Sequence, residues 1–235
     1  MRLDLYLTKN FNIQSRNKAA EIIKSKKVKI DGTIILKPSF KTAENMQIEL
    51  LEEDFYVSRA AYKLKFFLED LKLDLKNLQA LDIGSSTGGF TQILLEKEVE
   101  SVTCVDVGSN QLHEKIKDNP SIKFFENQDI RTFESSHQFD ITTCDVSFIS
   151  ILNILNDINR LSKDKIIILF KPQFEVGTNV KRDKKGVVKD KKAILRSREQ
   201  FLDECKLLNW KIIYSSPSKL EGKDGNEEEL FYFNK

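Results

Sequence analysis

The sequence predicts an α/β fold with a mainly parallel sheet, preceded by a small α+β module. Three observations lead there. From about residue 59 onward, short apolar runs alternate with helix-like stretches, the pattern of strands joined by crossover helices. The first fifty residues have a separate apolar pattern and a separate charge: residues 1–49 hold ten Lys/Arg against five Asp/Glu, whereas the rest holds 28 against 31, so the net +2 conceals a basic amino end. Finally, 40% hydrophobic residues in a chain of 235 supply enough apolar surface for a packed core.

In the first module, "RLDLYLTK" brings Leu3, Leu5 and Leu7 together in a short helix. "SRNKAAEIIKSKK" reads as a second helix, with Ser15 as N-cap and Ala19, Ile22 and Ile23 on one face. "VKIDGTII" reads as a hairpin: Val28 and Ile30 alternate, Asp31-Gly32 suits a turn with positive φ, and Ile34 resumes the pattern. The expected boundaries are 1–50 for this module, 51–58 for a linker with an acidic joint at Glu52–Asp54, and 59–235 for the α/β domain. A helix is expected over about Arg59–Leu71, and others near 88–97, 109–117, 149–161 and 191–208. Strands are expected at "LQALDI", "SVTCVDV", "SIKFFE", "FDITTCDV", "KIIILF" and "WKIIYSS". A last run, "EEELFYF", would add an antiparallel strand, either at the edge or inserted. "VKRDKKGVVKDKK" at Val180–Lys192 holds seven basic residues, two acidic ones and a glycine, the composition of a mobile loop.

Several function classes lose support. Cys104, Cys144 and Cys205 lie far apart without CxxC or Cys/His spacing, so they read as buried reduced thiols rather than as a disulfide framework or a zinc site. The longest apolar run, "IIILF" at Ile166–Phe170, is far short of the roughly 20 residues that span a bilayer. The amino end lacks the apolar core of a secretory signal. A soluble cytoplasmic protein with no membrane partner is the economical expectation.

The chemistry centres on "LDIGSSTGGFT". Ligands of open α/β sheets collect beyond the carboxyl ends of the strands. Gly84 ends the first strand, and with Gly88 and Gly89 it lets backbone approach a ligand closely, while Ser85, Ser86 and Thr87 offer hydroxyls. An isolated loop of this kind is as often a tight turn. Asp106 at the end of the second strand, placed to accept two ribose hydroxyls, and Asp129 after the third, placed to meet an adenine edge, favour a nucleoside ligand. Ser86 stands where a dinucleotide fingerprint has its second glycine, and no G-x-x-x-x-G-K-[ST] is present. S-adenosylmethionine fits better, since it has a ribose and an adenine but no phosphate.

"SRAAYKL", "LDIGSSTGGFT", "CDVSFIS", "LFKPQFE" and "GNEEELFYF" follow one another as in the TlyA family of RNA 2′-O-methyltransferases, which the chain resembles along essentially its whole length. The resemblance implies a Rossmann-like, FtsJ-type methyltransferase sheet whose last strand is antiparallel, and an S4 RNA-binding domain at the amino end. Asn12 stands where such domains commonly have glycine. It also implies a catalytic tetrad at Lys63, Asp145, Lys171 and a glutamate, which falls on Glu228 when Gly225-Asn226 is aligned; Glu227 and Glu229 are the alternatives. Donor contacts are expected at Gly84, Ser85, Ser86, Thr87, Gly88, Gly89, Phe90, Asp106, Asp129, Ile130 and Asp145, with no metal. Lys171 would act as base where burial and the nearby cation Lys63 favour its neutral amine, Asp145 would hold it, and Lys63 and Glu228 would orient the ribose. Pro172, directly after Lys171, is expected to end strand pairing and free a loop over the site.

RNA contacts are expected from Arg2, Arg16, Lys18, Lys24, Lys26, Lys27 and Lys29, and from Lys181 and Arg182 in the basic loop. The resemblance implies ribosomal RNA, or a ribosomal subunit, as partner and a cytidine as target; large-subunit RNA is favoured, small-subunit RNA stays open, and the chain is expected to act as a monomer. Two competing readings remain: a ribosome assembly factor that only binds, and a membrane-active haemolysin, a name attached to some relatives.

Overall fold

The computed structural model describes residues 1–11, 13, 15–43, 45–51, 56–222 and 224–235. The acidic joint at Glu52–Asp54 and the departure at Asn12 lie outside them. Contacts divide the chain into two units, Met1–Phe55 and Tyr56–Lys235.

In the amino-terminal unit, α1 (Leu3–Asn10) and α2 (Arg16–Lys24) share a core with a three-stranded antiparallel sheet made of β1 (Val28–Ile30), β2 (Thr33–Ile34) and β3 (Ile48–Leu50), ordered β2-β1-β3. Ser15 caps α2 by accepting from the Lys18 amide at 3.2 Å. Asp31 and Gly32, at φ 50 and 79, make the two-residue turn that pairs Ile30 with Thr33. Leu3, Leu7, Ala19, Ile23, Val28 and Ile30 are the buried centre. Ile34 is exposed, and β3, only three residues long, has too little pattern to be seen beforehand.

The second unit begins with α3 (Arg59–Leu71) and continues through β4 (Gln79–Ile83), α4 (Gly89–Glu96), β5 (Ser101–Val105), α5 (Glu114–Lys117), β6 (Ile122–Phe125) and β7 (Phe139–Cys144). Then come α6 (Leu155–Leu161), β8 (Ser162–Phe170), α7 (Pro172–Glu175), α8 (Lys191–Leu207), β9 (Lys211–Pro217) and β10 (Glu229–Asn234). The sheet order is β6-β5-β4-β7-β8-β10-β9. Pairing is parallel from β6 through β8, and β10 is inserted antiparallel between β8 and β9. Both faces are covered, so the period of two along each strand sorts side chains into two cores. Ile166, Ile168, Phe170, Phe231 and Phe233 face the layer of α6 and α8, while Ile167, Leu169, Leu230 and Tyr232 face that of α3 and α4.

Three segments differ from expectation. The helix expected over 109–117 shrinks to α5, because Asn110 at φ 52 breaks helical geometry early. The stretch 149–161 is divided: Ser150 caps a 3-10 turn over Ile151–Asn153, and α6 follows. Pro172 does not release a loop; its fixed φ starts the single turn of α7. The basic loop before α8 has structure of its own, with a bridge between Arg182 and Val188. Among the described residues, no helix is long and apolar enough to cross a membrane. Cys104, Cys144 and Cys205 are buried free thiols, and burial pushes the Cys144 thiol up to about 12.

Beneath the glycine loop lies a buried polar knot. Asp82 is fully buried and accepts from Thr91 Oγ1 at 2.6 Å and Thr143 Oγ1 at 2.9 Å, tying β4 to α4 and β7. Burial raises its carboxyl to about 6, against the pull of both hydroxyls. An acid raised on folding binds protons more tightly in the native state, so its contribution to stability declines as pH rises from about 4 to about 6 and is flat above. Thermal melts across that range should show Asp82→Asn removing this decline; parallel wild-type and variant curves would contradict the assignment.

Candidate active site

The site follows from the strand order. The chain runs outward from β4 to β5 and β6, then returns to place β7 on the other side of β4, so the switch point falls between β4 and β7. There Ile83 is in register with Cys144, and the Asp145 amide donates to the Ile83 carbonyl at 3.0 Å. The glycine loop and the "CDVSFIS" segment therefore leave the sheet side by side. Gly84 sits at φ 76, and a Cβ there would lie 3.1 Å from the Asp145 carbonyl oxygen and from Val146. Gly89 opens α4 where a Cβ would meet Ser58 Oγ at 2.1 Å, so α3 and α4 meet closely at their amino ends.

Two adjoining clefts share Gly84, Ser86, Asp145 and Ser147. The first, about 320 Å³, is lined by Asp106, Asp129 and Ile130, with Val105, Val107 and Phe148 as apolar walls. Asp106 accepts from the Ser86 amide at 2.8 Å and the Gly108 amide at 2.7 Å, which binds the glycine loop to the end of β5. Ser86 takes φ 47, an unusual value for a residue with a side chain. Arg131 grips the Asp129 carboxylate, its Nη2 lying 2.6 Å from Oδ2, and holds that carboxyl below its usual value. Sequence reasoning missed Arg131.

The second cleft, about 540 Å³, is lined by Lys63, Lys171, Asp145 and Phe90, the loop residues Ser85, Thr87 and Gly89, and the start of α3. Gly88 lines neither cleft; its φ of 89 makes the turn into α4. Lys63, five residues into α3, is buried and forms an ion pair with Glu228 just before β10. Lys171, at the end of β8, lies 2.6 Å from Asp145 Oδ1 and donates to Ser147 Oγ at 2.9 Å. The contact with Oδ1 is close but poorly aligned for a hydrogen bond. Burial pushes the Asp145 carboxyl up, while Lys171 and then Lys63 pull it back. Strand alternation sorts the three glutamates: Glu227 is exposed, Glu228 turns inward to Lys63, and Glu229 turns the other way, its Oε2 2.7 Å from Arg198. Gly222 lies against Glu228, where a Cβ would come within 2.6 Å of Oε1 and the carboxylate would have to shift.

Phe148 is another residue that sequence reasoning missed. It is 92% exposed at φ 67, with its ring 5.3 Å from that of Phe174. Two local patterns, S-F-I-S and P-Q-F-E, held the signal, but nothing in them indicated that the rings meet.

The basic residues behave unequally. Arg2 and Arg16 each lie 2.9 Å from the buried Asp4 carboxylate, whose value the Arg2 hydrogen bonds bring down to about 2. Lys18 pairs with Glu21 at 3.4 Å. Lys24, Lys26 and Lys29 form no ion pair with any described residue, and Lys24 and Lys26 are exposed; Lys27 is half-buried on the same turn. In the loop before α8, Lys181 is exposed. Arg182 instead donates to the backbone carbonyls of Gln173, Gly177, Thr178 and Val180, holding the loop together. Among the described residues, no group of three His, Cys, Asp or Glu side chains suits a metal ion.

The family model for FtsJ-like methyltransferases matches residues 56–235, and that for the S4 domain matches residues 1–48. A 23S rRNA (cytidine-2′-O)-methyltransferase TlyA from Campylobacter jejuni is 47% identical over 253 residues, covering 99% of each chain. A 16S/23S rRNA (cytidine-2′-O)-methyltransferase TlyA from Mycobacterium tuberculosis is 33% identical, covering 97% of this chain and 87% of its own. A solved structure from Streptococcus thermophilus, described as a hemolysin, is 28% identical with a TM-score of 0.72 and covers 100% of this chain and 88% of its own.

The buried pair carries a stability consequence. Asp145→Ala would leave the Lys171 ammonium buried without its carboxylate and should cost about 3 kcal/mol in urea denaturation. A loss below roughly 1 kcal/mol would mean that the pair behaves as a surface contact.

Proposed function

Because the chain belongs to the FtsJ-like methyltransferase family, in its TlyA branch, we propose that it methylates the ribose 2′-oxygen of a cytidine in ribosomal RNA, with S-adenosylmethionine as donor. The observation that carries this reading is the convergence of Lys63, Glu228, Asp145 and Lys171 beside a cleft whose other end has the acids a nucleoside needs.

The residues present suit the donor. Gly84 lets the loop pass close against Asp145 and Val146 at the cleft, Asp106 offers carboxylate oxygens to ribose hydroxyls, and Asp129 and Ile130 line the place for an adenine edge. The donor, when bound, supplies a methyl group made electrophilic by its sulfonium. Asp145 lines both clefts and so stands where donor and acceptor meet. Once its ammonium has given one proton to solvent, the neutral Lys171 Nζ is the atom that receives the 2′-hydroxyl proton, and Asp145 and Ser147 keep it aimed there. Lys63 and Glu228 fix the ribose from the opposite side, the ammonium donating to the sugar oxygen and the carboxylate accepting from a neighbouring hydroxyl. Much of the rate then comes from alignment of two bound partners. The exposed lysines of the amino-terminal unit supply phosphate contacts.

We assign the target to the large-subunit RNA, as in the name of the Campylobacter jejuni relative, and the activity to a cytoplasmic monomer.

Mass mapping of ribosomal RNA from cells carrying either the wild-type gene or Lys171→Ala should show one cytidine losing its 2′-O-methyl in the variant. Unchanged methylation would mean that Lys171 is not the base, and methylation that persists in cells lacking the gene would leave a factor that only binds. In calorimetry, Asp106→Ala should weaken donor affinity by roughly tenfold or more, while Lys171→Ala should bind donor within about threefold of wild type.

A further inference from the structure

The motif "LFKPQFE" contributes Lys171 to the site, but its last residue, Glu175, has no part in the chemistry described above. We propose that Glu175 is a positioning residue that latches the segment carrying Asp145 to the segment carrying Lys171, and that this latch sets the rate of methyl transfer. The inference rests on the proposed reaction.

The geometry is that of a seam. At one end Lys171 Nζ meets Asp145 Oδ1 at 2.6 Å and Ser147 Oγ at 2.9 Å. In the middle, the rings of Phe148 and Phe174 lie 5.3 Å apart. At the other end the Glu175 carboxylate accepts twice: Ser150 Oγ donates to Oε2 at 2.6 Å, and the Ile151 amide donates to Oε1 at 3.0 Å. Ser150 Oγ in turn accepts from the Leu152 amide at 3.2 Å. A single carboxylate thus satisfies the start of the 3-10 turn that ends the Asp145 segment. Lys171 precedes and Glu175 ends one turn, α7, whose first residue is a proline, so movement at one end passes to the other.

Glu175 is half-buried, and burial pushes its carboxyl up while the two donors pull it down. A charged group kept there costs stability unless the contacts it makes serve a purpose, and a glutamine could make the same two contacts without charge. Its amide oxygen would accept from Ile151, and its nitrogen would donate to Ser150. That exchange separates a latch from a requirement for charge.

The experiment compares Glu175→Ala, Glu175→Gln and Ser150→Ala in the full chain. With ribosomal subunits as substrate, Glu175→Ala should lower kcat by roughly ten- to a hundredfold with the donor KM changed less than about threefold, and Ser150→Ala should lower it by several-fold. Glu175→Gln should recover kcat to within about threefold of wild type. In donor-free protein, amide exchange at Ile151 and Leu152 should rise at least about tenfold in Glu175→Ala, stay slow in the strands, and return in Glu175→Gln. A Glu175→Ala protein with wild-type kcat, or a Glu175→Gln protein that melts like wild type yet is as slow as the alanine variant, overturns the proposal. If Glu175→Ala does not fold, Ser150→Ala and Glu175→Gln decide it. Should the wild type methylate no ribose, the proposed reaction fails, and exchange alone judges the latch: unchanged exchange at Ile151 would refute it.

Discussion

Two lysine–carboxylate pairs at the carboxyl edge of one sheet hold this site together. Lys63 and Glu228, and Lys171 and Asp145, are nearly buried, and taking such charges out of water is costly unless each meets its partner. Positions that impose this cost are hard to keep by chance. Here they are enforced by four separate elements: α3, the end of β7, the end of β8 and the approach to β10. Lys63 is anchored within α3, while Lys171, Asp145 and Glu228 each lie just outside a strand, so charges that attract one another also align the elements that bear them.

The order of strands makes this convergence possible. Because β7 returns beside β4, Asp145 emerges next to Gly84, and one carboxylate can belong to both clefts. Inserting β10 antiparallel next to β8 then brings the approach to Glu228 against the end of β8, where Glu229 pairs with Phe170. A parallel strand in that place would carry its leading residues to the opposite edge of the sheet. The antiparallel insertion is thus what completes the site.

Much of this was legible in the sequence, for identifiable reasons. The glycine loop, the acids at successive strand ends and the apolar run of "KIIILF" are local patterns, and local patterns survive without coordinates. The position of β10 was not legible, since "EEELFYF" states a strand but not its neighbours. Strand period resolves the three glutamates only once β10 is placed. Charge partners were hidden as well. Arg2 and Arg16 read as phosphate contacts but share Asp4, Arg182 reads as an RNA contact but organises its own loop, and Asp129 reads as an adenine contact but is also held by Arg131. In each case the folded geometry, not composition, decides what a charge does. Glu175 belongs with these: the motif announces it, but only the fold shows that it reaches Ser150 and Ile151.

The central claim is that donor and ribose meet between the two pairs, with Lys171 facing the reacting oxygen. A crystal structure of the protein with a non-reactive donor analogue and an RNA fragment containing the target cytidine tests it most directly. The account predicts the analogue along the cleft from Asp106 to Asp145, and the 2′-oxygen within hydrogen-bond distance of Lys171 Nζ. An analogue bound elsewhere, or a Lys171 side chain turned away from the ribose, would contradict it.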